Sequence, residues 1–161
     1  MTRRTAAALI ITRGQGRDLT VYLAERAAEL RFFGGYWAMP GGTIATEDLA
    51  ANTATDNAVL DEANALQACA DRELFEELGL MRRDLPDGRS EPAALRLHRQ
   101  SLLEFEAKMA QRKGQDIAGL TSPWPDIISN TSAPEALRSL CRIETPAFAP
   151  VRYGTVFFHV P

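Results

Sequence analysis

Arg72-Glu73-Leu74-Phe75-Glu76-Glu77-Leu78-Gly79-Leu80, preceded upstream by Met39-Pro40-Gly41-Gly42, decides how this chain reads. Residues three and four apart share one face of an α-helix. A helix through the run therefore carries Glu73, Glu76 and Glu77 on one side and buries Ala63, Ala70, Leu74 and Leu78 on the other. Gly79 supplies the left-handed residue that commonly ends a helix. Like charges within one turn raise one another's pKa unless a cation neutralises them. Mg2+ or Mn2+ suits such a cluster, because it takes carboxylates, waters and phosphate oxygens together and lowers the pKa of a bound water. Arg72 stands at i and i+4 with Glu76 and beside Glu73, where a guanidinium can hold a carboxylate in one orientation.

An acidic helix face by itself is usually a solvated surface. The glycines change the weighting. Tyr36-Trp37-Ala38-Met39 reads as a strand running into Pro40-Gly41-Gly42, a loop without side chains. Such a loop lets the main chain at Gly41 approach a ligand and lets Gly42 offer its carbonyl oxygen.

These residues resemble the Nudix hydrolase signature: Gly, five residues, Glu, seven residues, then Arg-Glu-U-x-Glu-Glu-x-Gly-U, with U a bulky aliphatic residue. Arg72 to Leu80 match the second half, and Gly42 followed after five residues by Asp48 matches the first with Asp for Glu. Between Asp48 and Arg72 stand 23 residues where the signature has seven, so 16 are inserted. The insertion, at about 49–64, resembles that of the acyl-coenzyme A diphosphatase subgroup, as does the approach from Leu30 to Gly42. Thr145-Pro146 and Arg152 to Phe158 are similar too, with Gly154 and Val156 where Asp and Arg are expected. The resemblance implies an α/β fold, a Nudix-like α/β/α sandwich around a mixed β-sheet. It further implies hydrolysis of a nucleoside diphosphate linked to another moiety, with coenzyme A or acyl-coenzyme A as the leading substrate and Mg2+ or Mn2+ as cofactor. By position, Glu76 and Glu77 are metal ligands, Gly42 offers its carbonyl, Glu73 is a ligand or the base acting on water, and Arg72 orients Glu73. Asp48 competes with Glu47 for the place of the first acidic residue. ADP-ribose, a nucleotide sugar or an oxidised nucleoside triphosphate are alternative substrates. A Nudix-fold module that binds nucleotide with little turnover is the alternative function.

With 161 residues, 45% hydrophobic and 24% charged, the chain suits one domain over 1–161. A net charge of −3 gives no basic field for nucleic acid, so a small nucleotide-type molecule is the expected partner. Two cysteines, Cys69 and Cys141, offer neither a zinc set nor a disulfide framework. The apolar start reads as a first strand over 5–12 instead of a signal peptide. No run reaches the length needed to span a bilayer, so a cytoplasmic protein without membrane attachment is expected.

Leu19, Val21 and Leu23 alternate as a second strand that closes a hairpin. In the following connection Arg26 is the preferred phosphate-binding residue, with Arg31 second. Pro86-Asp87-Gly88 signals a turn. Residues 93–112 read as an amphipathic helix with Leu95, Leu102, Phe105 and Met109 on its stripe, 134–141 as a short helix, and 151–160 as a strand alternating through Val151, Tyr153, Thr155, Phe157 and His159. Trp124 is assigned to the core, and neither His98 nor His159 to the metal. Compared with the family, the chain stops inside a central strand. The sheet edge this leaves would invite a homodimer.

Overall fold

The computed structural model describes residues 3–30, 33–50, 58–82, 93–111, 123 and 136–161. The elements are strands β1 (Arg4–Arg13), β2 (Thr20–Val21), β3 (Ala24–Glu25), β4 (Trp37–Ala38) and β5 (Gly41–Thr43), helices α1 (Thr46–Ala50), α2 (Ala58–Leu78) and α3 (Ala93–Gln111), and strands β6 (Arg138–Glu144) and β7 (Tyr153–Val160).

Ala6 to Ile11 form a continuous apolar run, and such a run suits a strand covered on both faces. It becomes β1, at the centre of the main sheet. β7 pairs with it in parallel from Arg4 opposite Tyr153 to Ile11 opposite Val160, while β2 and β5 pair with it antiparallel. β6 then adds antiparallel to β7. The sheet is mixed, in the order β2-β1-β7-β6 with β5 also on β1, and β3–β4 form a separate hairpin. Gly35, at φ 75°, donates its N–H to the Arg26 carbonyl while the Arg26 N–H reaches the Tyr36 carbonyl. This is the bonding of a bulge that opens with a left-handed glycine, and it ties Arg26 to the hairpin.

α2 lies on the sheet face presented by Ala7 and Leu9. Its Leu66, Cys69, Ala70 and Leu74 pack with these and with Val156, Phe158 and Val160 in one core. Each fully buried leucine there contributes about 1.5–3 kcal/mol relative to exposure. Gly79, at φ 69°, ends the helix and donates its N–H to the Phe75 carbonyl. α3 runs over 93–111 with Leu102 fully buried. Among the described residues no helix is long and apolar enough to cross a membrane.

Several expectations are corrected. Residues 138–144 form strand β6 where a helix over 134–141 was expected, because the ladder from Arg138–His159 to Glu144–Gly154 outweighs a short local pattern. The second strand is only two residues long, and its Val21 is exposed. On β7 the buried set is Gly154, Val156, Phe158 and Val160, the alternate face from Tyr153, Thr155 and Phe157. Ala63 is exposed, since the buried stripe of α2 begins at Ala65 and Leu66. Helix α2 begins at Ala58, so residues 58–64, expected in the insertion, belong to the helix itself. The turn at Pro86-Asp87-Gly88, together with Arg31, Trp124 and the insertion residues 51–57, lies outside the described residues.

Candidate active site

The acidic face of α2 divides into an inner and an outer part. The inner part is organised by Arg72, 3% exposed, whose guanidinium is spent entirely within the protein. Its Nε donates to Asp48 Oδ1 at 3.0 Å, Nη2 to Asp48 Oδ2 at 3.1 Å and to the Thr43 carbonyl at 3.0 Å, and Nη1 to Glu76 Oε1 at 2.8 Å. Glu73 Oε1 stands 3.1 Å from Nη2. Burial alone would lower the pKa of Arg72. The hydrogen bonds donated to Asp48 and the charges of Glu73, Asp48 and Glu76 outweigh it, so the pKa is raised and the group stays charged.

Asp48, rather than Glu47, is the buried partner. It is 0% exposed, and its Oδ2 also accepts the Ala45 N–H at 2.8 Å. It sits at the third position of α1 and reaches back to the amide before the helix, the carboxylate half of a capping box. One side chain thereby caps α1, pairs with Arg72 and joins α1 to α2.

Gly42 explains the loop. A Cβ built there would lie 1.9 Å from Glu73 Oε1, so only glycine lets β5 and the Glu73 carboxylate stand against each other. The Gly42 carbonyl accepts a weak hydrogen bond from the Cys69 thiol at 3.5 Å. That thiol is fully buried, and desolvation, assisted by the Asp48 charge, pushes its pKa far up.

The outer part is different. Glu77 is exposed as a residue, yet its carboxyl pKa is raised by desolvation, against the pull of the Gly41 amide and the Arg26 charge. The Gly41 N–H donates to Glu77 Oε2 at 3.3 Å. Arg26, near enough to act on Glu77, keeps a buried Nε that has no hydrogen-bond partner among the described residues. An unpaired guanidinium nitrogen beside a carboxylate and a glycine amide is a setting for an anionic oxygen.

The structure thus brings Arg72, Glu73, Glu76 and Gly42 together, and beside them Glu77, Gly41 and Arg26. Their donors, carboxylates and one main-chain carbonyl, are the hard oxygens that Mg2+ or Mn2+ prefers, so the residue set fits such an ion. Among the described residues no three acidic, His or Cys side chains are grouped to hold a metal; Glu76 Oε1 is on Arg72 and Glu77 Oε2 accepts the Gly41 N–H. His159 Nε2 bonds Thr12 Oγ1 at 2.9 Å. A cavity of about 700 Å³ opens near Arg4, Thr43, Leu49 and Glu62, at the other end of α2. None of the motif glutamates lines it, so the chemistry points to the Arg72 face instead.

Sequence reasoning missed Arg99. Its Nε and Nη2 donate to the Glu76 carbonyl at 2.9 and 2.8 Å, and Nη2 to the Glu77 carbonyl at 3.1 Å. It belongs to a helix that reads as ordinary amphipathic, and nothing local to Arg99 marks it as a partner of α2.

A family model described as the NUDIX domain matches residues 1–99. No curated protein matches the chain. Among solved structures, the crystal structure of a NUDIX hydrolase from Alicyclobacillus acidocaldarius is similar, with a TM-score of 0.67 and 25% sequence identity over 99% of this chain and 69% of that one.

Proposed function

The chain belongs to the Nudix family of hydrolases acting on phosphorus anhydrides, and on that premise we propose that it is a pyrophosphatase dependent on Mg2+ or Mn2+. Its substrate in this reading is a nucleoside diphosphate linked to another moiety, coenzyme A or acyl-coenzyme A. The observation that carries the proposal is the Glu73 carboxylate, held by Arg72 at 3.1 Å and set against the main chain of Gly42. A carboxylate so oriented against a glycine main chain can serve as a ligand or as a base for water.

In this reading Glu76, Glu77, Glu73 and the Gly42 carbonyl hold the metal. The ion, when bound, neutralises phosphate charge and acidifies a coordinated water. Arg26, with its unpaired Nε, and the Gly41 amide receive phosphate oxygens. Arg72 does not meet substrate; it keeps Glu73 in place. The stretch from Leu30 to Gly42 supports the coenzyme A assignment through its resemblance to the acyl-coenzyme A diphosphatases. Phe33 and Tyr36, packed edge to face with both rings exposed, follow Arg26 on the hairpin and offer a surface for the organic half of the substrate. A single domain over 1–161, a cytoplasmic setting and a homodimer through the exposed β6 edge, with Leu140 and Ile143 on it, complete the reading.

The test is product release from coenzyme A, acyl-coenzyme A, ADP-ribose, a nucleotide sugar and an oxidised nucleoside triphosphate, with Mg2+ or Mn2+, for wild type and Glu76→Gln. Cleavage of the coenzyme A compounds that is lost in the variant supports the proposal. Normal turnover by Glu76→Gln refutes the metal assignment. A second reading, motivated by the 23 residues that separate Asp48 from Arg72 where the signature has seven, is a module that binds nucleotide with little turnover. Nucleotide binding without cleavage by the wild type would select it.

A further inference from the structure

We infer that Arg99 is a positioning residue for the acidic face of α2, holding the turn on which Glu76 and Glu77 ride; this rests on reading those two as metal ligands. The last carbonyls of a helix have no intrahelical partner, and its C-terminus is the negative end of the helix dipole, where cations are favoured and carboxylates are not. α2 places Glu76 and Glu77 in that last turn and has no basic residue there. The electrostatics are therefore adverse twice over. Arg99 supplies the missing cation from α3. Its guanidinium donates to the Glu76 carbonyl from two nitrogens, at 2.9 and 2.8 Å, and to the Glu77 carbonyl at 3.1 Å.

The contacts are to the main chain, not to the carboxylates, and this makes the role specific. Arg99 takes no side-chain oxygen of Glu76 or Glu77 while fixing the backbone from which they project. A planar fork serves such a purpose, because it meets two successive carbonyls at set angles, whereas an ammonium group meets them as a point charge. Partners of metal ligands contribute to affinity by orientation in the same way.

Mn2+ binding, followed by the electron paramagnetic resonance of the free ion, reads this directly without turnover, on full-length Arg99→Gln, Arg99→Lys and Glu77→Gln with thermal unfolding of each as a fold control. Both Arg99 variants are expected to bind Mn2+ about tenfold more weakly, the low end for partners of metal ligands, at temperatures where they remain folded. Lysine keeps the charge and loses the fork, so it should not rescue. Tighter binding in Arg99→Gln with unchanged binding in Arg99→Lys would show a charge acting alone and overturn the inference. Unchanged affinity in both, with only a lowered Tm, would reduce Arg99 to a helix cap and overturn it equally. If Glu77→Gln weakens binding while the Arg99 variants do not, the ligand assignment stands and this inference alone fails. If Glu77→Gln binds as wild type, the ligand assignment itself fails.

Discussion

The inner and outer parts of the α2 face use the same residue type for opposite purposes. Around Arg72, Asp48 and Glu76 are buried and paired with one guanidinium. Around Glu77, the carboxyl accepts a long hydrogen bond from Gly41, and the nearby Arg26 has a buried Nε without a hydrogen-bond partner among the described residues. A group buried with its counter-charge is held firmly, since removing one partner strands the other. A desolvated group with incomplete partners is available to a ligand. Glutamates adjacent in sequence, Glu76 and Glu77, thus differ in how they are held, the first by a buried guanidinium and the second by a main-chain amide.

The strongest way to break this contrast is Arg72→Ala. It strands Asp48 and Glu76 in the interior and should cost about 3–5 kcal/mol of stability in urea unfolding, whereas Arg26→Ala should change stability by less than about 0.5 kcal/mol and act on substrate affinity. Equal losses from the two would erase the distinction.

Two neighbouring glycines sharpen it. A Cβ at Gly41 would meet the main chain of β1, 2.4 Å from the Ala7 carbonyl oxygen and 2.7 Å from the Ala8 Cα, so Gly41→Ala should destabilise by about 1–3 kcal/mol. At Gly42 the obstacle is the Glu73 carboxylate, which can swing away. Gly42→Ala should therefore stay folded and lose about 100-fold in turnover, as displacement of a reacting group by about 1 Å does. A Gly42→Ala enzyme with normal kcat would remove Glu73 from the chemistry.

Asp48→Asn against Glu47→Gln is a smaller comparison. The first leaves Arg72 short of a charged partner and should cost about 1–3 kcal/mol, while the second should fall within about 0.5 kcal/mol. Chemical denaturation of the pair decides whether Asp48 alone fills this place. Smallest is a labelling difference. Burial holds the Cys69 thiol protonated, and Cys141 is exposed. An aromatic disulfide reagent at pH 8 should therefore modify one thiol in the native protein and both after unfolding. Modification of both in the native state would mean that the core under Gly42 opens readily.

Much of the fold was legible because its signals are local. The acidic run, the terminating Gly79, the apolar first strand and the hairpin after it all rest on short-range periodicity and glycine conformation, and they reappear as α2, its left-handed end, β1 and β2. The helix expected over 134–141 failed for the complementary reason. Its residues carry a weak local preference, and β7 supplies a full ladder of partners only once the chain has folded back. The long spacing between Asp48 and Arg72 hid their pairing in the same way.

What the sequence determined unaided is the chemistry of the helix face: three carboxylates and an arginine within two turns follow from a 3.6-residue repeat and need no distant information. The tertiary structure alone decided which carboxylates are spent on Arg72, that Asp48 rather than Glu47 joins it, and that Arg99 closes the end of the helix. Each of these depends on segments at least 22 residues apart meeting at hydrogen-bond distance, and such meetings are set by the packing of the whole sheet and its helix.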